Sequence, residues 1–115
     1  MITNTHRFRG RKSLGHLHKK GATVRVQGAS LKFVDNPHRS GYRAAVVVSK
    51  KVHKSAVVRN RIRRRMYEQI RLEVPESIAV DFAVILYDDA FAMMSPENIR
   101  IATKQLFEKA GLLHS

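Results

Sequence analysis

The chain has 115 residues, of which 22 are Lys or Arg and 9 are Asp or Glu, so its formal net charge is +13 at pH 7. It contains no cysteine, which excludes disulfide frameworks, thiolate zinc sites and cysteine nucleophiles. No apolar run approaches the ~20 residues of a membrane-spanning helix, and no secretory signal opens the sequence, so we expect a cytoplasmic protein that contacts no membrane.

The positive charge is concentrated in one part of the chain. Residues 1–67 contain 18 basic side chains and a single acid, Asp35, whereas residues 68–115 contain 4 basic and 8 acidic side chains. Charges that only keep a protein soluble are usually interspersed with charges of the opposite sign. A segregated positive surface instead favours a polyanionic partner.

The first third of the chain predicts a helix and two strands within a single domain, 1–115. Residues 1–11 are polar and basic, and we expect them to be flexible. The segment 12–20 has apolar residues on one helical face and a glycine after it, which predicts a short helix. Alternating apolar and polar residues predict strands over 22–27 and 29–34.

The remainder predicts two strands and two longer helices. The composition of 35–41 is typical of a loop, and the β-branched run 42–50 predicts a strand. A serine cap and an apolar stripe predict a helix over 55–73. The apolar run 80–88 predicts a buried strand, and a capped amphipathic pattern predicts a helix over 95–113.

This order of elements predicts an α+β fold, a two-layer sandwich with helices on one face of a four-stranded sheet. The strands 42–50 and 80–88 flank a helix, so they are predicted to be parallel. The general rule makes such a crossover right-handed.

The helix predicted over 55–73 is the most informative segment. Four apolar residues recur every four positions and predict the face that packs on the sheet: Val58, Ile62, Met66 and Ile70. Seven cations lie in the same region: Lys54, Arg59, Arg61, Arg63, Arg64, Arg65 and Arg71. Because the planar donors of arginine bind phosphate in pairs and stack on bases, this surface favours a nucleic acid over a merely solvated helix face.

The type of nucleic acid follows from what surrounds this helix. The segment lacks the heptads of a zipper-type DNA-binding arm and the paired helices of a helix-turn-helix. A sheet beside a basic helix suits unstacked single-stranded bases. The candidate stacking residues are Phe8, His18, Phe33 and Tyr42, although Phe33 and Tyr42 also fit simple core positions.

Two motifs carry a resemblance to a known family. Val48–Lys51 reads VSKK at the end of a predicted strand, and after a seven-residue spacer Arg59–Arg64 reads RNRIRR at the start of the basic helix. In this combination, and in the order of elements over nearly the whole chain, the sequence resembles the bacterial ribonuclease P protein subunit. The resemblance implies that family's α-β-β-β-α-β-α sandwich, with a left-handed βαβ crossover in place of the usual right-handed one.

The resemblance also implies a function. The expected activity is ribonucleoprotein endonuclease cleavage that removes the 5′ leader of precursor tRNA. A large catalytic RNA is expected to carry out the chemistry and to hold magnesium, with no catalytic residue or metal ligand in the protein. We expect one protein monomer for each RNA.

The resemblance further implies two groups of contact residues. The residues expected to contact the catalytic RNA are Lys50, Lys51, Arg59, Asn60, Arg61, Arg63, Arg64 and Arg65. The residues expected to line a cleft for the single-stranded leader are Phe8, Leu14, His18, Phe33 and Arg43. The sequence departs from the family pattern at Tyr67, where a further arginine is usual, and at Arg65, where an apolar residue is common.

Two alternatives belong to other functional classes. A protein-only hydrolase would need metal ligands, for which the sequence offers Asp81, Asp88 and Asp89, although the last two also fit a turn beyond a strand. A ribosomal or other structural RNA-binding protein would share the charge and the plan of sheet and helix. The combined VSKK and RNRIRR motifs are the feature that argues against it.

Overall fold

The computed structural model describes residues 21–26, 28–36 and 41–113. Its elements, in chain order, are β1 (Ala22–Val26), β2 (Ala29–Asp35), β3 (Arg43–Val48), α1 (Ala56–Glu73), β4 (Val80–Leu86), a 3-10 helix (Asp89–Ala92) and α2 (Pro96–Lys109). Every strand and helix predicted within these residues is present, with ends that differ by a few positions. The flexible segment predicted over 1–11, the helix predicted over 12–20, and the candidates Phe8, Leu14 and His18 lie outside the described residues.

The four strands form one sheet in the order β1-β2-β4-β3. β2 pairs antiparallel with β1 and with β4, whereas β3 pairs parallel with β4 and places Val46 opposite Val84. A parallel pair needs a crossover connection, which α1 provides. The α+β class and the parallel pair are therefore confirmed, and the handedness of the crossover stays a prediction.

The pleat of the sheet creates two faces with different surroundings. Leu31, Val46 and Val84 share one face and are at most 5% exposed. The helices cover this face, because its residues form one core cluster with the apolar stripes of α1 and α2. The opposite face carries Arg43 and Val47, and Val47 remains 47% exposed.

α1 follows the sequence-based expectation closely. The Ser55 side chain caps it by accepting a hydrogen bond from the N–H of Val58 (3.4 Å). Three of the four predicted stripe residues are at most 2% exposed, namely Ile62, Met66 and Ile70, and the fourth, Val58, is half-buried. Burying each such side chain stabilises the folded state by roughly 1.5–3 kcal/mol, so this stripe fixes α1 on the sheet.

α2 is shorter than the helix predicted over 95–113. It begins after a Ser95 cap and ends at Lys109, because Gly111 adopts a left-handed φ of +77°. The chain then turns back, and the N–H of Leu112 donates to the carbonyl of Phe107 (3.0 Å). Within the described ranges, neither helix combines the length and apolar character that crossing a bilayer requires.

Gly28 joins β1 to β2 in a conformation that suits glycine, with a φ of +81°. A Cβ at this position would lie 2.6 Å from the Cβ of Asp88, so the turn also requires a residue that has no side chain. Asp88 caps the 3-10 helix by accepting a hydrogen bond from the N–H of Ala90 (2.8 Å). The predicted strand 80–88 therefore ends early, at Leu86, and is followed by a short helix that the sequence patterns do not indicate.

Candidate nucleic-acid interface

A tight turn after β3 presents the lysine pair. The N–H of Val52 donates to the Ser49 carbonyl (3.0 Å), and the N–H of Lys51 donates to Ser49 Oγ (3.1 Å). Val52 is 2% exposed and holds the turn against the core, whereas Lys50 and Lys51 are exposed. Both lysines therefore lie where the sheet meets the start of α1, with their ammonium groups available to a partner.

Arg59 joins this loop to the first turn of α1. One of its terminal nitrogens, Nη1, donates to the carbonyls of His53 (3.0 Å) and Lys54 (2.8 Å). The N–H of Ser55 donates to Nδ1 of His53 (2.9 Å), which fixes the residue that caps the helix. Arg59 is half-buried, so part of its donor capacity is already used inside the protein.

The outward face of α1 carries an exposed array of polar and cationic side chains. Asn60, Arg61, Arg64 and Arg65 are exposed, and Arg63 is half-buried and donates to the amide oxygen of Asn60. Spacings of three and four residues place these side chains above one another on the helix. No ion pair involves Arg61, Arg64 or Arg65 within the described part of the chain.

Carboxylates neutralise other arginines, at sites outside this array. Arg71 donates from Nε to Glu68 (3.0 Å), and Arg100 donates from Nη2 to Glu97 (2.6 Å). The hydrogen bond from Arg71 lowers the pKa of Glu68 to about 2. The segment 50–65 contains no carboxylate, so its positive charge has no acid of its own to neutralise it.

Comparison with known proteins identifies the family. A family model described as Ribonuclease P matches residues 2–111. The chain belongs to the ribonuclease P protein family. It is 32% identical to the ribonuclease P protein component of Prochlorococcus marinus (strain MIT 9313), over 93% of this chain and 94% of that protein. It is 29% identical to the component of Symbiobacterium thermophilum, over 97% and 96%.

Solved structures share the fold of this family member. The RNase P protein of Staphylococcus aureus superposes with a TM-score of 0.82 at 22% identity, covering 95% of this chain and 98% of that one. The protein of Thermotoga maritima gives 0.77 at 21% identity, again with 95% and 98% coverage. The family recognised from residues 48–64 is therefore confirmed, and the shared fold accounts for the sheet and helices described above.

Arg43, a candidate for the leader cleft, is held by a buried carboxylate. Its Nε donates to Oδ1 of Asp81 (3.0 Å) and its Nη2 to Oδ2 (2.6 Å), while Asn36 Nδ2 also donates to Oδ2 (3.0 Å). The hydrogen bond with Asp81 raises the pKa of Arg43. Asp81 is 2% exposed and the Arg43 side chain 24%, so this cluster links the ends of β2, β3 and β4 and leaves part of the guanidinium at the surface.

The two aromatic candidates within the described residues belong to the core side of the sheet. Phe33 is half-buried and packs against the core cluster, on the face it shares with Leu31. Tyr42 is 1% exposed and stacks on Phe82, with 5.5 Å between ring centroids. Phe33 and Arg43 therefore lie on opposite faces of the sheet, and the structure does not bring these two leader-cleft candidates together.

Two of the three acidic residues offered for a protein-only hydrolase, Asp81 and Asp88, have structural partners. Asp81 is bound by Arg43 and Asn36, and Asp88 caps the 3-10 helix. In the ranges that the structure describes, no group of three or more His, Asp or Glu side chains is arranged to hold a metal ion.

Tyr67 is the residue of this region whose role the sequence left open. Its phenol oxygen accepts a hydrogen bond from the backbone N–H of Val46 in β3 (3.1 Å). Its ring is half-buried and packs against the core cluster. Position 67 therefore contacts the sheet, whereas Arg65, two residues earlier, projects into solvent. A helical projection could have placed Tyr67 beside the buried stripe, but it could not have identified its partner.

Proposed function

We propose that this chain is the protein subunit of ribonuclease P and assists removal of the 5′ leader from precursor tRNA. The observation that carries the proposal is exposed positive charge that no carboxylate neutralises within the described residues. It consists of Lys50 and Lys51 in the loop before α1 and of the cationic array on the outward face of α1. Family membership supports the same assignment.

The array is proposed to contact the catalytic RNA. Arg61, Arg64 and Arg65 supply planar donors for phosphate, and Lys50 and Lys51 add point charges at the end of β3. Each phosphate neutralised releases a condensed counterion, so binding gains free energy and weakens as salt rises. Asn60 and Arg63, which bond to one another, and Arg59, which holds the loop, complete the predicted RNA-contacting set.

The chemistry is assigned to the RNA partner. Magnesium held by RNA phosphates would activate the attacking water and stabilise the leaving oxygen. The protein contributes positive charge, which lowers the repulsion between two polyanions, the catalytic RNA and the precursor tRNA. We place one protein monomer on each RNA, in the cytoplasm.

The leader of the precursor tRNA is proposed to lie near the face of the sheet that the two helices do not cover. Arg43 lies on this face with its guanidinium partly exposed. Phe33 lies on the other face and packs against the core cluster, so it supports the sheet from the core side. The proposal for Phe8, Leu14 and His18 rests on the family resemblance alone.

Reconstitution tests the proposal directly. A bacterial ribonuclease P RNA is mixed with precursor tRNA at low magnesium, with and without the protein. We expect the protein to raise the rate of cleavage at the mature 5′ end, and the double variant Arg61→Ala/Arg64→Ala to lose most of this gain. The matched control Arg100→Ala/Lys104→Ala removes two cations from α2 and should keep the gain.

Two other results would contradict the proposal. Cleavage of precursor tRNA by the purified protein without RNA would assign the chemistry to the protein. Binding to the RNA with no change in cleavage at any magnesium concentration would favour a structural RNA-binding protein. The double variant should be folded, as judged by its thermal melt, because both arginines are exposed.

A further inference from the structure

The direction in which the arginines of α1 project depends on how the helix is rotated against the sheet. The buried stripe of Ile62, Met66 and Ile70 holds the helix by apolar contact, which is non-directional. A hydrogen bond between helix and sheet adds a directional constraint, because it prefers a donor angle above about 150° and weakens steeply below about 120°. The contacts of Tyr67 supply such a constraint.

Tyr67 binds a backbone group that the sheet itself leaves unpaired. Among the described strands β3 lies at the edge of the sheet, with β4 as its neighbour. The N–H of Ser49 donates to Leu86 of β4 (2.9 Å), so the N–H of Val46, three residues earlier, points to the opposite side, away from β4. The phenol oxygen of Tyr67 accepts this outward N–H at 3.1 Å. The bond therefore fixes one point of α1 to one point of the sheet edge.

The location of Tyr67 connects this bond to the cationic array. Tyr67 follows Arg63 by four residues and Arg64 by three, so the bond lies one helical turn from both. Its ring packs half-buried against the core cluster, which restricts the motion of the phenol. A rotation of α1 about its axis would lengthen or bend this bond and would redirect every guanidinium on the outward face.

We propose that Tyr67 is a positioning residue for RNA binding, which fixes the rotation of α1 against β3 and thereby the direction in which Arg61, Arg64 and Arg65 project. This inference rests on the proposed function. It assigns no phosphate contact to position 67. A cation introduced there would lose the bond to Val46 without joining the array.

The test compares tyrosine variants in binding to a bacterial ribonuclease P RNA across a range of salt concentrations. Tyr67→Phe keeps the ring and removes the bond, and we expect RNA affinity to fall about threefold to tenfold, with a flatter salt dependence, because the phosphate contacts are less well aligned. Tyr67→Arg should also bind less tightly than the wild type. Tyr87→Phe is the matched control, because Tyr87 is 38% exposed and its hydroxyl has no hydrogen bond in the described chain.

A second readout does not depend on RNA. Hydrogen exchange of the Val46 amide should be faster in Tyr67→Phe than in the wild type and unchanged in Tyr87→Phe. Affinities are measured well below the melting temperature of each variant, so that loss of folded protein does not contribute. If Tyr67→Phe fails to fold, protection of the Val46 amide in the wild type and the affinity of Tyr67→Arg decide the question.

The outcomes separate this inference from the proposed function. If the wild type does not bind the RNA, both fail. If the wild type binds and Tyr67→Phe binds equally well with the same salt dependence, Tyr67 is only structural and the inference is overturned. Tighter binding by Tyr67→Arg, or an unprotected Val46 amide in the wild type, also overturns it.

Discussion

The two helices have similar inner faces and different outer faces. Each begins after a serine whose side chain accepts a backbone N–H three residues later, and each buries a stripe against the same core. The buried stripe residues are Ile62, Met66 and Ile70 in α1, and Ile99, Leu106 and Phe107 in α2. The serine caps and the buried apolar stripes stabilise the fold in the same way in both helices.

The outer faces differ in how charge is balanced. In α2, Arg100 is paired with Glu97, and this hydrogen bond lowers the pKa of Glu97. In the first half of α1 no acid accompanies the arginines, and the pairing of Arg71 with Glu68 begins only near its end. Repulsion among unpaired cations destabilises an isolated helix, so the array is better explained by a polyanionic partner than by the fold.

The largest effect should come from the inner faces. Ile62→Ala in α1 and Ile99→Ala in α2 should each lower the free energy of unfolding by about 3 kcal/mol, because both side chains are 1% exposed and each truncation leaves a cavity. Chemical denaturation measures both. The exposed Ile101→Ala is the control and should change stability by less than about 0.5 kcal/mol. A marked difference between the two buried variants would contradict the equivalence of the inner faces.

The next largest effect should be on RNA binding. It should come from the outer face of α1 and not from that of α2. Arg64→Ala should reduce the slope of log affinity against log salt by about 0.9 in filter binding to the catalytic RNA, the loss of one phosphate contact. Arg100→Ala, which removes a paired arginine from α2, should leave the slope unchanged. Equal slopes for Arg64→Ala and the wild type would remove Arg64 from the interface.

The caps should contribute a smaller and similar amount in both helices. Ser55→Ala and Ser95→Ala should each lower the free energy of unfolding by about 1 kcal/mol, because each leaves a first-turn N–H without its acceptor. Ser55→Ala should also weaken RNA binding, since the capped turn adjoins Lys54 and Arg59. Thermal melts and RNA titrations measure the two effects, and a loss of RNA affinity in Ser95→Ala would contradict the comparison.

The smallest effect should come from the ion pair near the end of α1. The pKa of Glu68 is lowered from 4.5 to about 2, so its contribution to stability is present above about pH 4.5 and is lost as pH falls through 2. Glu68→Gln should therefore differ from the wild type at pH 6, and the difference should shrink as pH falls from 4.5 towards 2 in denaturation experiments. High salt should reduce the difference at pH 6, because the pair is exposed. If the stability difference between the wild type and Glu68→Gln grew on acidification, it would contradict the lowered pKa of Glu68.

Local patterns predicted most of the fold and part of the site. The four-residue repeat from Val58 to Ile70 identified the inner face of α1, because side chains that recur once per turn share a face wherever the helix packs. The end of α2 was predicted less well, since Leu112 and Leu113 continue the apolar content while Gly111 reverses the backbone. The 3-10 helix after β4 has no periodic signal of its own.

The partners of individual side chains could not be predicted in this way. Arg43 and Asp81 are 38 residues apart in sequence, and Tyr67 and Val46 are 21 apart. Alternation in β2 places Phe33 on the apolar face with Ala29 and Leu31, but only the pairing with β4 shows which residues of the other strands share that face. These assignments depend on which strands are neighbours.

The sequence by itself determined the four strands and two helices of the described residues to within a few positions, the concentration of positive charge in residues 1–67 and the family. These are properties of local spacing and composition, which remain the same however the chain folds. The tertiary structure decided the pairing of Arg43 with Asp81, because that pairing depends on the distance between residues far apart in the chain. The pairs Arg71–Glu68 and Arg100–Glu97 are local, since their members lie three residues apart on one helix. The tertiary structure also placed Tyr67 at the edge of β3, where a single hydrogen bond connects the cationic helix to the sheet.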